Sequence, residues 1–517
     1  MSNEQRLAAP HFTVATRNPK AGPIATVLLT SVAFFMVVLD ALVVVTALPS
    51  IHRSLGGSVD SLQWTISAYN LAFGAGIITA AALGERLGRR KMYVVGLALF
   101  TLSSALCAIA PGLGLLIAAR AAQGLGAAII APLSLTILTS AFPPERRGTI
   151  IGLWGGISGL GVAAGPLIGG AVTQGLSWHW VFWVNVPIGI AAMAGARLRL
   201  PESYGARVRL DILGLVLVSI GSSALIWALV EGSSKGWTST PVLTVALMGT
   251  FALAAFLIWE SRAEAPMIPL SLFRNVSFTA AVASTFLMGS AIYAAAFLTS
   301  QYFQFAFHDS PLAAGVRFLP WTATPLVVAP LAGAISDRVG ARALIVPGLI
   351  LQGAGFAWIV VLAGTHDGYA AYLPAFIVAG IGVSMAIPTA PAAALTAVPE
   401  AVLGKASAIV TSLRQFGAVV GIAVVTAVFN ANGSLNSPTD VTSGYRPGLG
   451  TAAALSILGA ITALAIRRTA ARRPARPTGP AGSAGPAEPV EPAEPASAEL
   501  HQSPAFPLTE DVSGSHA

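Results

Sequence analysis

The sequence predicts an all-α integral membrane protein with fourteen membrane-spanning helices. Of its 517 residues, 55% are hydrophobic and only 10% are charged, and the mean hydropathy is +0.75. A water-facing surface could not be built from this composition, whereas a lipid-facing surface could. Apolar runs of about 20 residues, long enough to cross a hydrocarbon core of about 30 Å, recur as far as Ile466.

The predicted spans follow these apolar runs in order along the chain. About two dozen mostly polar residues precede the first run, which is too long for a signal-peptide core, so we expect it to remain as span one. The spans are predicted to begin near Pro23, Leu62, Met92, Gly112, Gly148, Val184, Ile212, Pro241, Val276, Pro311, Ala343, Ala370, Gly404 and Gly450.

The basic residues predict the orientation of the spans. They cluster in alternate loops, and such loops face the cytoplasm. Both termini are therefore predicted to be cytoplasmic, in a multi-pass protein of the bacterial plasma membrane. The net charge of +8 reports this topology and not nucleic-acid binding. The clusters are Arg86 to Lys91 after span two, Arg146 and Arg147 after span four, Arg197 to Arg209 after span six, and Arg338 and Arg342 after span ten.

Two similar cytoplasmic turns, after spans two and ten, predict an internal repeat. Each joins an acid, an Arg and a turn Gly, which suggests two six-helix bundles with two additional spans between them. The predicted segments are a cytoplasmic N-terminal segment (1–22), a first bundle (23–205), two linker spans (206–262), a second bundle (263–467) and a disordered cytoplasmic tail (468–517). The turn residues are Glu85, Arg86, Gly88, Arg89, Arg90, Asp337, Arg338 and Gly340.

Two opposite charges are predicted to meet inside the first bundle. Asp40 lies nine positions before Pro49, or about 13 Å deep, and Arg120 lies seven positions after Leu113, or about 11 Å deep. Charges in hydrocarbon cost several kcal/mol, so we expect a functional pair, direct or bridged by water. The alternative is a pair that only holds two helices together.

Span five carries a glycine pattern that permits very close helix packing around a proline. Small residues four apart let helix backbones approach, and a proline interrupts the backbone hydrogen bonds. The pattern predicts a pliable, gating helix; ordinary close packing is the alternative. Its residues are Gly152, Gly161, Gly165, Pro166, Gly169 and Gly170.

Together these motifs resemble the major facilitator superfamily, specifically its fourteen-span drug:proton antiporter family. The turn after span two is similar to the family's cytoplasmic motif, although Glu85 replaces Asp and Ala81 replaces Gly. Further resemblances are the Arg120 motif with Gln123, the glycine pattern of span five, and Asp40 with Pro49 in span one. The resemblance implies a proton-coupled antiporter that exports amphipathic drugs or antibiotics by alternating access. It further implies that the proton gradient drives transport, without a cofactor.

The substrate cavity is predicted to be lined by aromatic and amide side chains, which suit a bulky amphipathic molecule, cations included. We expect a monomer that binds a small amphipathic molecule, protons and lipid, and no metal or nucleic acid. Alternatives are a proton symporter that imports a small solute and, from another class, a receptor or membrane enzyme. No metal-ligand spacing or nucleophile motif supports an enzyme. The candidate lining residues are Trp64, Tyr69, Asn70, Gln123, Tyr293, Gln301, Arg414 and Gln415.

Overall fold

The structure is a computed structural model, and it describes residues 22–205, 211–264, 266–364, 368–399 and 402–467. Within these ranges all regular secondary structure is helical, without a strand. The predicted N-terminal segment, except for Gly22, and the predicted tail of residues 468–517 lie outside the described residues.

Sixteen α-helices form the described part of the chain. Two short 3-10 turns, Leu270–Arg274 and Tyr369–Tyr372, precede α10 and α14. The helices are α1 (Pro23–Leu55), α2 (Val59–Leu87), α3 (Arg89–Ala108), α4 (Leu113–Ser140), α5 (Pro144–Gly175), α6 (His179–Trp183), α7 (Asn185–Arg199), α8 (Ile212–Lys235), α9 (Thr240–Arg262), α10 (Val276–Phe305), α11 (Pro311–Thr322), α12 (Thr324–Val339), α13 (Arg342–Leu362), α14 (Leu373–Thr396), α15 (Leu403–Asn432) and α16 (Pro438–Ala463).

Twelve helical segments among the described residues are long and apolar enough to cross a membrane. The all-helical, multi-pass membrane architecture is therefore confirmed. Helices α5 and α16, with 32 and 26 residues, are not among these twelve. Part of α5 lies outside the described side chains, and the first half of α16 is polar. The count of fourteen spans stays a prediction.

Several helices differ from the predicted spans at their ends. Helix α16 begins at Pro438 and not near Gly450, because Ser437 caps its first turn by accepting a hydrogen bond from the Asp440 N–H. The polar first turns lowered the apolar signal without preventing the helix. Predicted span ten is divided at Ala323 into α11 and α12.

Short loops make successive spans run in opposite directions, so the loops fall into two sets. We call the end of the molecule with the loops at Gly88 and Gly340 the Gly88 end. The opposite end, with the loops at Gly56 and Gly236, is the Gly56 end. All four of these glycines have positive φ, from 71° to 107°, which favours a residue without a Cβ.

Helices α1–α7 pack with one another, and so do α10–α16. The two groups meet most extensively where α2 packs on α15 and where α5 packs on α11. Helices α8 and α9 pack together, and α8 also lies against α2 and α15, where Ile226 and Val230 join a cluster with Leu71, Val419 and Ala423. The additional pair therefore covers the seam between α2 and α15.

Candidate functional site

The structure places Asp40 of α1 and Arg120 of α4 in direct contact. Arg120 Nη1 donates a hydrogen bond to Asp40 Oδ2, which also makes an ion pair. The two residues are 1% and 0% exposed, so water and lipid do not reach them. The depths estimated from the helical rise match because both helices are regular along these stretches.

Two amides complete the surroundings of the Asp40 carboxylate. Gln123 Nε2 donates to Asp40 Oδ1 at 2.9 Å, and Asn185 Nδ2 donates to the same oxygen at 2.8 Å. Gln123 Oε1 in turn accepts a 2.6 Å hydrogen bond from Arg120 Nη1. We call Asp40, Arg120, Gln123 and Asn185 the Asp40 network.

Arg120 also contacts residues of α2 and α6. Its Nε donates to the backbone carbonyl of Thr65 at 2.9 Å, and its guanidinium carbon lies 4.3 Å from the centre of the Tyr69 ring and 5.8 Å from that of Phe182. Aromatic faces stabilise a cation, most strongly where water is excluded. One guanidinium nitrogen, Nη2, has no hydrogen-bond partner among the described residues.

The composition of the Asp40 network determines what it can do chemically. A buried carboxylate paired with a guanidinium is neutral as a pair, and each charge depends on the other because water does not solvate them. Protonating Asp40 would leave Arg120 as an uncompensated buried cation. Proton exchange at Asp40 therefore requires the network to rearrange, which is a means of coupling a proton to a change of conformation.

A separate hollow lies between the two helix groups, with a cavity volume of about 50 Å³. Its walls are mainly aliphatic, aromatic and prolyl, with Thr46 and Thr322 as the polar exceptions. The eight predicted lining residues are absent from its walls. The lining residues are Leu42, Val45, Thr46, Val162, Pro166, Ile292, Ala296, Phe318, Trp321, Thr322, Pro325, Val383 and Ile387.

Two of the predicted lining residues belong instead to the surroundings of the ion pair. Gln123 is part of the Asp40 network, and Tyr69 is completely buried beneath Arg120, with its hydroxyl donating to the Val37 carbonyl at 3.2 Å. Both were expected to face a substrate because aromatic and amide side chains suit a bulky amphipathic molecule. In this conformation they satisfy a buried charge.

Other predicted lining residues lie at the contact between the helix groups or beside it. Gln415 of α15 donates a 3.1 Å hydrogen bond to Asn70 of α2. Trp64 packs against the cluster that α2, α8 and α15 form. Gln301 of α10 is 2% exposed, and its amide atoms have no partner among the described residues.

Two further predicted lining residues are Tyr293 of α10 and Arg414 of α15. Both side chains are partly exposed. Gly289, one turn before Tyr293 on α10, makes room for the Arg414 stem: a Cβ at Gly289 would lie 3.1 Å from Arg414 Cγ. A substrate role for the eight residues stays a prediction.

The glycines of α5 face two different helices. A Cβ at Gly165 would lie 2.8 Å from Leu42 of α1, and one at Gly169 would lie 2.6 Å from the Val43 carbonyl. Gly161 faces α1 in the same way, because residues four apart share a helix face. The close approach of α5 to α1 therefore depends on these small residues.

The other face of α5 contacts α11 across the two groups. A Cβ at Gly170 would overlap the carbonyl oxygen of Pro311, and one at Gly315 would overlap that of Pro166. Leu312 N donates to Gln174 Oε1 at 3.2 Å. Gly152 lies in α5, in a stretch whose side-chain surroundings are outside the described part.

The turn after α2 is tied to the segment after α7. Arg89 makes a double hydrogen bond to Glu85, at 3.0 and 2.8 Å, while Arg86 is exposed. The Glu202 carboxylate accepts from the backbone N–H of Arg90 at 2.9 Å and from that of Lys91 at 3.2 Å, and so caps α3.

The corresponding turn after α12 is less completely described. Gly340 ends the helix with φ of 85°, and Arg338 is exposed. The side chain of Asp337 is not among the described side chains, so its predicted contacts are untested.

Sequence reasoning missed Asn185 and Glu202 as functional contacts. Asn185 was visible only as one polar residue near the start of a span, and Glu202 only as an acid in a basic loop. An acid in such a loop predicts a helix cap, because helix N-termini bind carboxylates.

The sequence matches the family model described as Major Facilitator Superfamily over residues 30–422 and 281–506. The chain belongs to the major facilitator superfamily. Its resemblance to that superfamily is therefore confirmed, and membership indicates a transporter. Solved superfamily structures agree in fold: a peptide transporter POT in complex with sulfate has a TM-score of 0.61 at 15% identity, covering 86% of this chain and 94% of the other.

Named relatives within the superfamily are drug and antibiotic resistance proteins. Multidrug resistance protein Stp of Mycobacterium tuberculosis is 36% identical over 410 residues, which cover 78% of this chain and 76% of Stp. The puromycin resistance protein pur8 of Streptomyces alboniger is 34% identical over 435 residues, 83% of this chain and 84% of pur8. The tetracenomycin C resistance and export protein of Streptomyces glaucescens is 32% identical over 405 residues, 78% of this chain and 75% of that protein.

Proposed function

We propose that this chain is a proton-coupled antiporter that exports amphipathic drugs or antibiotics from the cytoplasm by alternating access. The observation that carries the proposal is that α1 joins two sites. Asp40 belongs to a buried ion network, and Leu42, Val45 and Thr46 on the same helix line the apolar hollow. The names of the relatives, which include resistance and export, support drugs as the cargo.

Closure at one end supports alternating access. At the Gly56 end, α1 contacts α10 and α5 contacts α11, so the hollow is covered there. In the predicted topology the Gly56 end faces outward and both termini are cytoplasmic. The closed end is then the external one.

The proposed coupling passes through α1. Proton binding at Asp40 removes the partner of Arg120 and forces the Asp40 network to rearrange. Helix α1 moves with it, and the glycines of α5 allow this movement because they present no side chains to α1. Movement of Leu42 and Thr46 changes the hollow, so that proton and substrate compete without sharing a contact.

Several finer features belong to the same proposal. The two six-helix bundles with two additional spans, fourteen in all, act as a monomer without a cofactor, driven by the proton gradient. Import of a small solute by symport would use the same fold. The names of the resistance relatives favour export over import.

Vesicles with an internal pH dye test the proposal. Purified protein is reconstituted, a proton gradient is imposed, and puromycin, tetracenomycin C or fluorescein is added. We expect substrate-evoked proton movement with wild type and with Glu231→Gln, an acid outside the Asp40 network, but not with Asp40→Asn. Equal movement with Asp40→Asn would show that coupling lies elsewhere, and no movement with any of the three compounds would reject the proposal.

A further inference from the structure

Arg414 is a charged side chain near the middle of a membrane-spanning helix. It lies eleven positions after Leu403, so about 16 Å along α15, a helix about 45 Å long. Its side chain is partly exposed and makes no hydrogen bond or ion pair with the described residues. Arg120, by contrast, makes three hydrogen bonds, one of which is also an ion pair, and has no exposure.

The helix geometry places Arg414 toward the hollow. On α15, Gln415 bonds to α2 and Gly417 packs on α10, and at 100° per residue Arg414 lies on the face between these two contacts. On α10, Gly289 contacts the Arg414 stem, and Ile292, one turn further on the same face, lines the hollow. The Arg414 stem therefore contacts α10 one helical turn from a wall residue of the hollow.

No negative charge among the described residues pairs with Arg414. The walls of the hollow contain no acid, and the mid-span acid Asp40 is 1% exposed and paired with Arg120. A cation in surroundings of low dielectric constant is strongly stabilised by an anion that comes close to it. The electrostatics around Arg414 thus favour an anionic ligand and disfavour a cationic one.

We propose that Arg414 binds the anionic group of the exported molecule, so that the substrates are amphipathic aromatic anions such as carboxylates or phenolates. The planar guanidinium suits a carboxylate because two N–H groups can donate in parallel. The apolar part of the molecule occupies the hollow against Trp321 and Phe318. This inference rests on the proposed function and narrows its substrate class.

Two dyes with a shared xanthene ring system test the charge preference. Fluorescein is anionic and rhodamine 123 is cationic, so the binding of each to the purified full chain in detergent, followed by fluorescence anisotropy, isolates the effect of charge. We expect wild type to bind fluorescein more tightly. Arg414→Gln should raise the Kd for fluorescein at least about tenfold and leave the Kd for rhodamine 123 unchanged or lower. Arg414→Lys should raise the Kd for fluorescein by a smaller factor.

Arg338→Gln, which removes an exposed arginine at the Gly88 end, is the matched control and should change neither Kd. Preference of wild type for rhodamine 123, failure to bind fluorescein, or an equal loss of both dyes in Arg414→Gln would overturn the inference. Arg414→Lys keeps the charge and guards against a folding defect in Arg414→Gln. Binding in detergent needs no proton gradient, so charge-selective binding without proton movement in vesicles would reject antiport and leave the anion site standing.

Discussion

The Ser300 hydroxyl on α10 donates a 3.0 Å hydrogen bond to the backbone carbonyl of Val45 on α1. One turn further, Gln304 Nε2 donates to the Thr46 carbonyl, also at 3.0 Å. These two contacts join the helix groups directly at the Gly56 end of the hollow. Helix α1 thus contributes to the closure, to the wall of the hollow and to the ion pair.

Removing the Gln304 contact should open the Gly56 end more often. Gln304→Leu deletes one hydrogen bond worth about 1 kcal/mol, which corresponds to an increase of about fivefold in the open population. A cysteine at Ala296 in the hollow would report this as faster labelling by a membrane-impermeant thiol reagent. Thr250→Val, which removes a bond within α9 only, should leave labelling unchanged; equal rates in all three proteins would contradict the closure.

Adding a methyl group where α5 meets α11 should weaken the same closure. Gly315→Ala places a Cβ against the Pro166 carbonyl, and overpacking of this kind costs about 1–3 kcal/mol. We expect a lower disulfide yield between cysteines introduced at Gln174 and Leu312. Gly333→Ala has open space around its Cβ and serves as the control; a loss of yield in both variants would show that the contact is not responsible.

Filling the hollow should abolish binding regardless of charge. Ala296→Phe adds an aromatic ring inside a wall of the hollow, so fluorescein and rhodamine 123 should both lose affinity, in contrast to the selective effect of Arg414→Gln. Ala454→Phe adds the same ring at an exposed position of α16 and should have no effect. Anisotropy titrations would measure this. Unchanged binding in Ala296→Phe would place the ligand outside the hollow.

Loss of the Glu202 cap should destabilise the protein. Glu202→Ala removes the acceptor for two N–H groups of α3, and caps contribute about 0.5–2 kcal/mol. Thermal unfolding should therefore begin at a lower temperature. The comparison is Glu231→Ala, which removes an i,i+4 pair with Lys235 worth about 0.3–0.5 kcal/mol. A larger shift in Glu231→Ala would refute the capping role.

Asp309 predicts a pH dependence of stability at the Gly56 end. Burial raises the pKa of Asp309 above its usual 3.8, although the Arg317 guanidinium, 3.0 Å away, lowers it. A carboxyl whose pKa is higher in the folded state contributes stability that is complete below the unfolded pKa and is lost as pH rises through the folded one.

We therefore expect Asp309 to lower the Tm of wild type as pH rises above about 4. Asp309→Asn should lack this pH-dependent decrease. Thermal unfolding across a pH series measures both slopes. Identical slopes in wild type and variant would exclude Asp309 as the titrating group.

The sequence was sufficient to predict the helical membrane fold and the meeting of Asp40 with Arg120. Hydropathy reports spans directly, and the helical rise converts sequence position into depth. The same reasoning could not give the rotation of each helix about its axis. That rotation directs Asn185 toward Asp40, and Tyr69 toward Arg120 instead of a substrate.

The hollow itself was not predictable for a different reason. Its wall residues are ordinary apolar residues of spans, such as Leu42 and Val383, which no motif distinguishes from lipid-facing ones. The cavity was predicted at polar residues such as Asn70 and Gln415, whose amides bond to each other. Only the packing of six helices shows which apolar faces leave space between them.

Both acceptors at the α1–α10 contact are main-chain oxygens, at Val45 and Thr46, and the side chains of the same two residues line the hollow. A main-chain oxygen is present whatever amino acid occupies the position. Mutation at these two sites can therefore reshape the wall for a new compound while the donors Ser300 and Gln304 still find their acceptors. In the proposed exporter, a change of cargo preference is in this way separated from the integrity of the closure at the Gly56 end.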